Sequence, residues 1–434
     1  MRVAFATLGC RVNQYESEAM IEKFLKEGYS LVDFNVLADV YVINTCTVTN
    51  MGDKKSRQMI SRARRLNDAA VIAVVGCYSQ IAPEEVSSLK GVDVVLGTRN
   101  KGDIVYWVNR FKEERIKVIK VDEVLKNTTF ENLNIDEYQD KTRAFLKIQD
   151  GCNRFCSYCM IPFARGAVCS KEPSKIIEEV KELAIHGFKE IILSGIHTAS
   201  YGVDLKEDVT LVDVLEAIDK IPGIERIRIG SIDPTFFTEG VVDRIIRLEK
   251  LCPHFHLSLQ SGCDETLKRM NRRYTAEEYS DIVKILRENI SNVSVTTDVI
   301  VGFPGETEEE FQNTFKFLSD IKLTKMHVFK YSPREGTKAA QMKGQLDGTV
   351  KDIRSGRLIA LDHEQEKEFM IKLLGTRVNV LFEELVKGTT NLYAGYSPNY
   401  IRVVVESDTD LSGKILEVSL EKFEEQHIFG VVQL

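Results

Sequence analysis

The segment that decides the fold of this chain is Cys152-Asn-Arg-Phe-Cys156-Ser-Tyr-Cys159, in which three cysteines lie four and three residues apart. It follows residues 145–148, a short apolar run that predicts a β-strand. Three thiolates at this spacing can hold three corners of a cubane [4Fe–4S] cluster and leave the fourth iron open. The alternatives are a zinc site or buried cysteines, but closed zinc sites use four ligands, commonly in paired short motifs. The segment therefore predicts an iron–sulfur site in a loop after a strand.

Outward from this segment, apolar runs alternate with helical patterns through residues 142–370. Six such runs recur about every 30 to 45 residues, a spacing that suits right-handed βα repeats curling into a barrel. A complete barrel of this kind has eight units, so we expect an open, partial (βα)6 barrel. The six predicted strands are residues 145–148, 190–193, 226–229, 255–259, 295–300 and 327–330.

The two ends of the chain predict two further domains, so we expect an α/β protein of three domains. Residues 1–126 alternate apolar runs with helical spacing, which is typical of a parallel α/β sheet. Residues 127–141 are rich in Asn, Asp, Glu and Thr and predict a linker. Residues 371–434 alternate short β-like runs with Gly, Asn and Asp turns, which predicts a small antiparallel β-barrel. The predicted strands are 3–8, 40–44, 71–75 and 92–96 at the N-terminal end, and 378–382, 400–405 and 414–418 at the C-terminal end.

Composition restricts the class of protein. Of the 434 residues, 43% are hydrophobic and 28% are charged, which is ordinary for a soluble globular chain. Nine cysteines, an odd number in a long chain without an export signal, favour metal ligands in a reducing compartment over disulfides. No apolar run approaches the ~20 residues of a membrane span, so we expect a cytoplasmic protein without membrane contact. The net charge is −7, so any contact with RNA has to come from a local basic patch.

A second group of cysteines lies in the N-terminal part. Cys10, Cys46 and Cys77 each come soon after a predicted strand. The carboxyl ends of parallel strands open on one edge of a sheet, so these three side chains are expected to converge there. Convergent thiolates predict a second three-cysteine cluster, and buried cysteines at strand ends are the alternative.

The triplet Cys152, Cys156 and Cys159 matches the signature of the radical S-adenosylmethionine (SAM) superfamily, and Met-Ile-Pro-Phe-Ala-Arg-Gly at residues 160–166 resembles its methylthiotransferases. Residues 8–14, 44–49 and 75–77 are similar to the N-terminal domain of that family, in which the cysteines carry an auxiliary [4Fe–4S] cluster. The last 60 or so residues resemble the TRAM domain, a small β-barrel that binds RNA in many members. This resemblance covers nearly the whole chain. It implies two [4Fe–4S] clusters and SAM as cofactors, with Cys10, Cys46, Cys77, Cys152, Cys156 and Cys159 as the cluster ligands.

Within the family, residues 256–264 and 268–274 look most like the bacterial enzymes that act on threonylcarbamoyladenosine next to the tRNA anticodon. The resemblance implies addition of a methylthio group to carbon 2 of N6-threonylcarbamoyladenosine at position 37. One SAM would methylate sulfide at the N-terminal cluster, and another would yield the radical that activates the adenine ring. The alternatives are the branches that act on isopentenyladenosine or on a ribosomal protein, a radical dehydrogenase whose second cluster only relays electrons, and a zinc-stabilised RNA-binding module. No general base can be named from the sequence.

Small and polar residues follow the predicted barrel strands, where a cofactor would lie. Together they match the order of SAM-contacting segments in the family, although a glycine after a strand is also an ordinary turn residue. The candidate SAM contacts are Gly195, Ser231, Gln260, Asp298 and Gly302. His197 lies beside them, but a packed or exposed histidine is the more frequent situation. Cys169, Cys252 and Cys263 are expected to be structural, and Cys169 stands where the family more often has Arg.

The candidate RNA-binding surface is a basic helix after the Cys46 loop. No acidic residue interrupts it, so a helix beside the second cluster could position phosphates; a solvated charged face is the alternative. Its cations are Lys54, Lys55, Arg57, Arg62, Arg64 and Arg65. The C-terminal barrel is acidic, but Tyr393, Tyr396 and Tyr400 could stack on bases. We expect tRNA as substrate, a flavodoxin- or ferredoxin-like electron donor, and a monomer.

Overall fold

The computed structural model describes residues 1–126, 129–133, 135, 142–424 and 426–433. The N-terminal part is one parallel sheet. Its strands are β1 (Arg2–Thr7), β2 (Ser30–Val32), β3 (Val40–Thr45), β4 (Val71–Gly76), β5 (Val94–Leu96) and β6 (Val118–Lys120). They are ordered β2-β1-β3-β4-β5-β6, and all neighbours run parallel, which confirms the predicted sheet. The two edge strands β2 and β6 were not predicted, because three residues with mixed exposure carry no periodic signal.

Helices cover both faces of this sheet. The central strands β3 and β4 are buried along their whole length, as expected for a sheet covered on both sides. One apolar cluster packs under α1 and α5, and the other under α2 and α4. The helices are α1 (Arg11–Lys26), α2 (Asn50–Leu66), α3 (Cys77–Ile81), α4 (Pro83–Ser88) and α5 (Ile104–Glu114).

The central part contains the six predicted barrel strands. They are β7 (Arg143–Lys147), β10 (Glu190–Ser194), β11 (Arg226–Ile229), β12 (His254–His256), β13 (Ser294–Val301) and β14 (Lys325–Lys330). They pair in parallel as β7-β10-β11 and β12-β13-β14, and bridges such as Ile232 to Leu257 join the two groups. Within the described residues β7 and β14 do not pair, so the barrel is open between them.

The segments between the barrel strands are mostly helical. A short antiparallel pair, β8 (Gln149–Asp150) and β9 (Cys169–Ser170), flanks the loop that carries the cysteine triplet. The apolar faces of the helices and the strands form one core that also includes Tyr15 and Ala19 of α1. The helices are α6 (Ile161–Arg165), α7 (Pro173–Ile185), α8 (Leu211–Asp219), α9 (Glu239–Ile245), α10 (Asp264–Arg269), α11 (Ala276–Asn289), α12 (Glu308–Ile321), α13 (Lys338–Gln341) and α14 (Gly348–Lys372).

The predicted linker is described only at residues 129–133 and 135. Leu133 and Ile135 are almost completely buried and belong to the barrel core. The hydroxyl of Tyr15 on α1 donates to the carbonyl of Leu133. The described part of this segment therefore packs between the N-terminal helix and the barrel, and the rest of the predicted linker lies outside the described residues.

The C-terminal part is a closed five-stranded barrel, which confirms the predicted small β-barrel. Its strands are β15 (Arg377–Leu385), β16 (Leu392–Tyr396), β17 (Arg402–Glu406), β18 (Ile415–Glu424) and β19 (His427–Val432), ordered β15-β16-β17-β19-β18. Four pairings are antiparallel as expected, and β17 pairs with β19 in parallel, because closing the barrel places β19 between β17 and β18. Among the described residues no helix is both long and apolar enough to cross a membrane.

Candidate active site

The first group of cysteines lies in the loop between β8 and α6. Cys152 Sγ and Cys159 Sγ each accept the backbone N–H of the residue two positions later, at 3.4 Å. The Cys156 Sγ accepts a hydrogen bond from the guanidinium of Arg272, also at 3.4 Å. N–H groups aimed at sulfur stabilise thiolates and tune iron–sulfur clusters. The loop therefore presents three sulfurs in a setting suited to thiolate ligands.

Burial raises the pKa of two of these thiols, Cys159 and Cys152. It raises the pKa of Cys159 to about 12, and the neighbouring Cys156 and Cys152 add to the increase. Burial also raises the pKa of Cys152, with Cys156 again contributing. The three sulfurs thus lie within electrostatic range of one another. Metal ligation requires thiolates, and three thiolates in this loop would need a bound cationic centre to balance their negative charge.

A polar chain runs from this loop to the barrel wall. Arg272 approaches Asp233 with 3.4 Å between Nη2 and Oδ2, and His197 Nε2 lies 3.5 Å from the same oxygen. Burial alone would raise the pKa of Asp233, but His197 and the charge of Arg272 hold it well below its usual range. Arg154 Nε lies 3.2 Å from His197 Nε2. His197 therefore tethers the cysteine loop to the residues after β10 and β11.

The second group of cysteines converges as predicted. Cys10, Cys46 and Cys77 follow β1, β3 and β4, which are neighbours in the sheet. Gly9 has a φ of +104°, and a Cβ there would lie 2.9 Å from Cys46 Cβ and 3.0 Å from its Sγ. Only glycine allows the Cys10 segment to approach Cys46 this closely.

Two thiols of this second group, Cys46 and Cys77, also have raised pKa values. Burial raises the pKa of Cys46 to about 11, and Cys77 and Cys10 contribute to the increase. Burial likewise raises the pKa of Cys77, with Arg165 opposing it most strongly. As in the first group, the sulfurs interact electrostatically: Cys46 and Cys77 each interact with Cys10, and Cys46 also interacts with Cys77.

A short helix connects the two cysteine groups. Helix α6 begins two residues after Cys159, and its last residue, Arg165, points its Nε at Cys77 Sγ at 3.3 Å. Both Arg165 and Cys77 are buried. Five helical residues span about 7.5 Å, so one turn and a half of helix separates the loop of the first group from a direct contact with the second.

Arg165 belongs to a buried cluster of charges between the N-terminal sheet and the barrel. Its Nη1 lies 2.5 Å from Glu16 Oε1 and 3.3 Å from Asp150 Oδ2. Lys147 Nζ lies 2.8 Å from Glu16 and 2.6 Å from Asp150, and Lys101 also contacts Glu16. Burial would raise the pKa of Glu16, but Arg165 and the two lysines hold it well below its usual range. Three cations face two carboxylates, so the cluster carries a surplus positive charge beside Cys77.

This cluster was not predicted from the sequence. Lys147 lies inside a predicted apolar strand and Glu16 lies on a helix face that is otherwise buried, and a charge in such a position is a signal for a buried ion pair. Arg165 stood in the segment that carries the family resemblance, but only as part of the motif. Arg99 adds a further cation, 4.0 Å from Asp150 Oδ2.

The donor chemistry decides whether these residues fit iron–sulfur clusters. Within the described residues, no three His, Cys, Asp or Glu side chains are arranged to hold a single metal ion. A cubane cluster differs from a single ion because each thiolate binds a separate iron corner. Two sets of three mutually interacting thiols, one facing Arg272 and the other Arg165, fit that requirement.

A cavity of about 560 Å³ lies between the barrel lumen, the start of α1 and the C-terminal barrel. Three of the predicted SAM contacts, Gly195, Ser231 and Asp298, line it, and so does Cys10. A Cβ on Gly195 would lie 2.9 Å from the Gln149 side chain, so glycine is required there for packing. The cavity thus brings the predicted cofactor side of the barrel together with the second cysteine group.

The other two predicted SAM contacts, Gln260 and Gly302, are not among the cavity-lining residues. Gln260 has a φ of +73°, and its backbone N–H donates to the carbonyl of Asp298 at 2.9 Å. Gly302 also has a φ of +73°, and its N–H donates to Glu306 at 3.0 Å. Both residues set the backbone conformation of the segments that follow the carboxyl ends of β12 and β13.

The basic helix is α2, capped by Thr49 after the Cys46 loop. Two of its six predicted RNA contacts are engaged within the domain. Arg57 donates to the hydroxyl of Tyr78 at 2.9 Å, and Arg64 forms a 3.0 Å salt bridge with Asp93. The other four cations, Lys54, Lys55, Arg62 and Arg65, are exposed.

Of the three tyrosines that could stack on RNA bases, Tyr396 and Tyr400 pack against the central barrel and line the cavity. Tyr396 and Tyr400 stack on each other with ring centroids 4.8 Å apart, and Tyr400 also lies 4.8 Å from the His254 ring. The guanidinium carbons of Arg143 and Arg228, both from the central barrel, lie 5.6 and 4.5 Å from the centroid of the Tyr400 ring. The two half-buried rings therefore form the floor of the cavity, because the loop before β17 inserts there.

The remaining three cysteines are buried. Cys169 Sγ accepts a hydrogen bond from Arg99 at 2.9 Å, and Cys263 Sγ donates to Glu265 at 3.0 Å. The structure gives each of these two sulfurs a polar partner away from either cysteine group, in agreement with a structural role.

Two family descriptions match the chain. Residues 146–318 match the radical SAM superfamily, and residues 2–97 match a family described as uncharacterized protein family UPF0004. A solved structure of the radical SAM methyltransferase TsrM from Kitasatospora setae, with cobalamin and a [4Fe–4S] cluster bound, superposes with a TM-score of 0.59. It is 14% identical and covers 78% of this chain and 77% of that one, which shows a shared fold.

Curated relatives match almost end to end. The threonylcarbamoyladenosine tRNA methylthiotransferase MtaB of Bacillus subtilis (strain 168) is 45% identical over 97% of this chain and 94% of that protein. A tRNA-2-methylthio-N(6)-dimethylallyladenosine synthase of Clostridium botulinum (strain Loch Maree / Type A3) is 35% identical over 96% of this chain and 93% of that protein. The chain therefore belongs to the methylthiotransferase family of the radical SAM superfamily.

Proposed function

We propose that this enzyme adds a methylthio group to carbon 2 of N6-threonylcarbamoyladenosine at position 37 of tRNA. The relative named for that nucleoside shares more of its sequence with this chain than the relative named for dimethylallyladenosine. The observation that carries the proposal is helix α6, which begins beside Cys159 and ends in contact with Cys77. A reaction that joins radical chemistry to sulfur transfer needs its two sites this close together.

The radical SAM domain brings one [4Fe–4S] cluster and SAM, and we assign a second cluster to the N-terminal domain. Cys152, Cys156 and Cys159 would hold the cluster that supplies a 5′-deoxyadenosyl radical from SAM, and Cys10, Cys46 and Cys77 the one that supplies sulfur. The residues of this chain supply positive charge beside the sulfurs and exclude water from them. Arg272 and Arg165 place positive charge against one sulfur of each group. Burial of the charged residues around Arg165 keeps water from that side.

We assign the cofactor and the substrate to opposite sides of the cavity. The side for SAM is lined by Gly195, Ser231 and Asp298. Gln260 and Gly302 would contribute to this side indirectly, through the backbone conformation that they set. The start of α1 and the C-terminal barrel form the other side. The target base would then lie between SAM and Cys10.

The exposed face of α2 is the proposed contact for tRNA phosphates. The helix lies directly after the Cys46 loop, and its four exposed cations lie on one surface of the helix. Arg57 and Arg64 hold the helix in place by their pairing with Tyr78 and Asp93. We further propose domains at residues 1–126, 142–370 and 371–434, a flavodoxin- or ferredoxin-like electron donor, a monomer, and action in the cytoplasm where tRNA is modified.

The test is mass spectrometry of nucleosides from bulk tRNA. The reconstituted protein is incubated anaerobically with SAM, sulfide and a reductant. A methylthio mass gain on threonylcarbamoyladenosine supports the proposal, and a gain on isopentenyladenosine keeps the chemistry but overturns the substrate. Cleavage of SAM without a gain on any nucleoside favours the protein-modifying branch or an electron-relay role for the second cluster. Bound zinc without iron–sulfur colour overturns the radical mechanism.

A Cys46→Ala variant separates the roles of the two cysteine groups. It is expected to lose methylthiolation and keep reductive cleavage of SAM, because the Cys152 group is intact. Cys263→Ala, a buried cysteine outside both groups, is the matched control and should keep both activities. Iron analysis confirms that the first cluster is loaded. Loss of both activities in a folded, loaded Cys46→Ala protein would argue against this division of roles.

A further inference from the structure

The charged residues that line the cavity differ in their pairing within the described part of the chain: its carboxylates form ion pairs, whereas two of its arginines do not. Two carboxylates line it, and both are already paired: Glu366 with Lys325 at 2.5 Å and Asp298 with His256 at 3.3 Å. Two arginines also line it, Arg11 at the start of α1 and Arg402 at the start of β17. Among the described residues neither arginine forms a salt bridge.

The partners of these two arginines are neutral or weakly basic groups. Arg11 Nη2 donates to the Tyr400 hydroxyl at 3.4 Å, and Arg402 Nη1 lies 3.1 Å from His427 Nε2. Burial raises the pKa of the Tyr396 hydroxyl, and the charges of Arg143 and Arg402 partly oppose the increase. Arg11 and Arg402 therefore line the cavity beside the stacked tyrosine floor, and a guanidinium carries more donors than the one contact described for each.

We propose that this arginine pair binds the carboxylate of the threonylcarbamoyl group, with Arg402 as the residue that selects the substrate. The inference rests on the proposed function and adds the group that recognises the side chain of the nucleoside. Guanidinium groups are well suited to carboxylates, because their donors can form parallel hydrogen bonds to both oxygens.

The same charges disfavour the alternative nucleoside. A dimethylallyl group has no polar atom, so its entry would cover two cations without giving them a partner. Sites with polar groups that need a partner reject substrates that lack one far more strongly than apolar pockets reject polar ones. The carboxylate of SAM is a different anion, and it would lie with the first cluster, whose three cysteines do not line this cavity.

The test compares two anticodon stem-loops that carry the threonylcarbamoyl group either as the free carboxylate or as its methyl ester. Wild-type enzyme is expected to prefer the free carboxylate by roughly 10- to 100-fold in kcat/KM, the range of a hydrogen-bonded charge. Arg402→Met should remove most of that preference, and Arg402→Lys should restore part of it. Arg377→Met is the matched control, because Arg377 lies on β15 of the same barrel and pairs with Glu417 outside the cavity.

Binding of the two stem-loops by fluorescence anisotropy gives a readout that does not depend on catalysis. Iron content and melting temperature show that each variant is loaded and folded. A wild-type preference that survives Arg402→Met overturns the inference and leaves the proposed function standing. Equal use of both stem-loops by the wild type also overturns it. A wild type that modifies neither stem-loop overturns the proposed function itself. If Arg402→Met weakens both stem-loops equally, Arg402 contacts tRNA phosphate instead, and the inference fails.

Discussion

Glu16→Gln removes the central carboxylate of the charge cluster between the N-terminal sheet and the barrel. Glu16 contacts Arg165, Lys147 and Lys101, and the side chains of all four are fully buried. The neutral amide would leave three buried cations with Asp150 as their nearest carboxylate. Removing one partner of a buried ion pair costs about 3 to 5 kcal/mol, because the charges left behind are not compensated. We expect the free energy of unfolding to fall by that amount.

Urea unfolding followed by tryptophan fluorescence measures this loss. The chain has a single tryptophan, Trp107 on α5, so the signal reports on the N-terminal domain. For a slope of about 1 to 3 kcal/mol per molar urea, a loss of about 3 to 5 kcal/mol should lower the midpoint by roughly 1 to 5 M. Glu27→Gln, at the exposed end of the same helix, is the matched control and should shift the midpoint little. Equal midpoints for the two variants would refute the assignment of Glu16 to a stabilising cluster.

The same pair of proteins predicts a pH dependence. The pKa of Glu16 is lowered in the folded protein from an ordinary value near 4.5. Its carboxylate therefore stabilises the fold fully at pH values above that ordinary range, and the contribution is lost as the pH falls through the folded-state pKa. The difference in stability between wild type and Glu16→Gln should stay constant between pH 8 and 6 and shrink only in acid. A difference that shrinks already between pH 8 and 6 would contradict the sign of the shift.

Three other variants test separate parts of the molecule. Cys159→Ser should abolish reductive cleavage of SAM and reduce the iron content, whereas Cys263→Ser should leave both unchanged by activity assay and iron analysis. Lys54→Glu combined with Lys55→Glu should weaken tRNA binding and reduce the slope of log affinity against log salt by about 1 to 2, since each phosphate contact contributes about 0.7 to 0.9; an unchanged slope would exclude α2 from the interface. Arg228→Met should lower the melting temperature, because it leaves the buried Glu190 partner without its 3.0 Å ion pair; unchanged melting would show that the barrel floor does not depend on it.

The sequence predicted the strands and the convergence of the cysteines because both depend on local pattern. Apolar runs such as residues 71–75 form buried strands wherever helices cover both faces, and Cys46 and Cys77 then meet because β3 and β4 are neighbours. The contact of Glu16 with Arg165 joins residues 149 positions apart, and no periodicity in the sequence encodes such a pairing. The surroundings of Tyr400 could not be predicted for a similar reason: the sequence shows an aromatic residue in a turn, whereas only the packed domains show that the turn inserts into the barrel beside His254 and Arg228.

The buried charges around Glu16 couple two events: docking of the N-terminal domain against the barrel, and iron–sulfur binding at the N-terminal cysteines. Glu16 and Lys101 come from the N-terminal domain, and Arg165 and Lys147 come from the barrel, so separation of the domains would leave these charges unpaired. The docked arrangement also holds a surplus positive charge against Cys77, where thiolate ligands would bring negative charge. A group that binds only the docked state stabilises that state. Iron–sulfur binding at the N-terminal cysteines should therefore strengthen docking, and a substitution that loosens docking should weaken retention of that cluster before it affects the one held by Cys159.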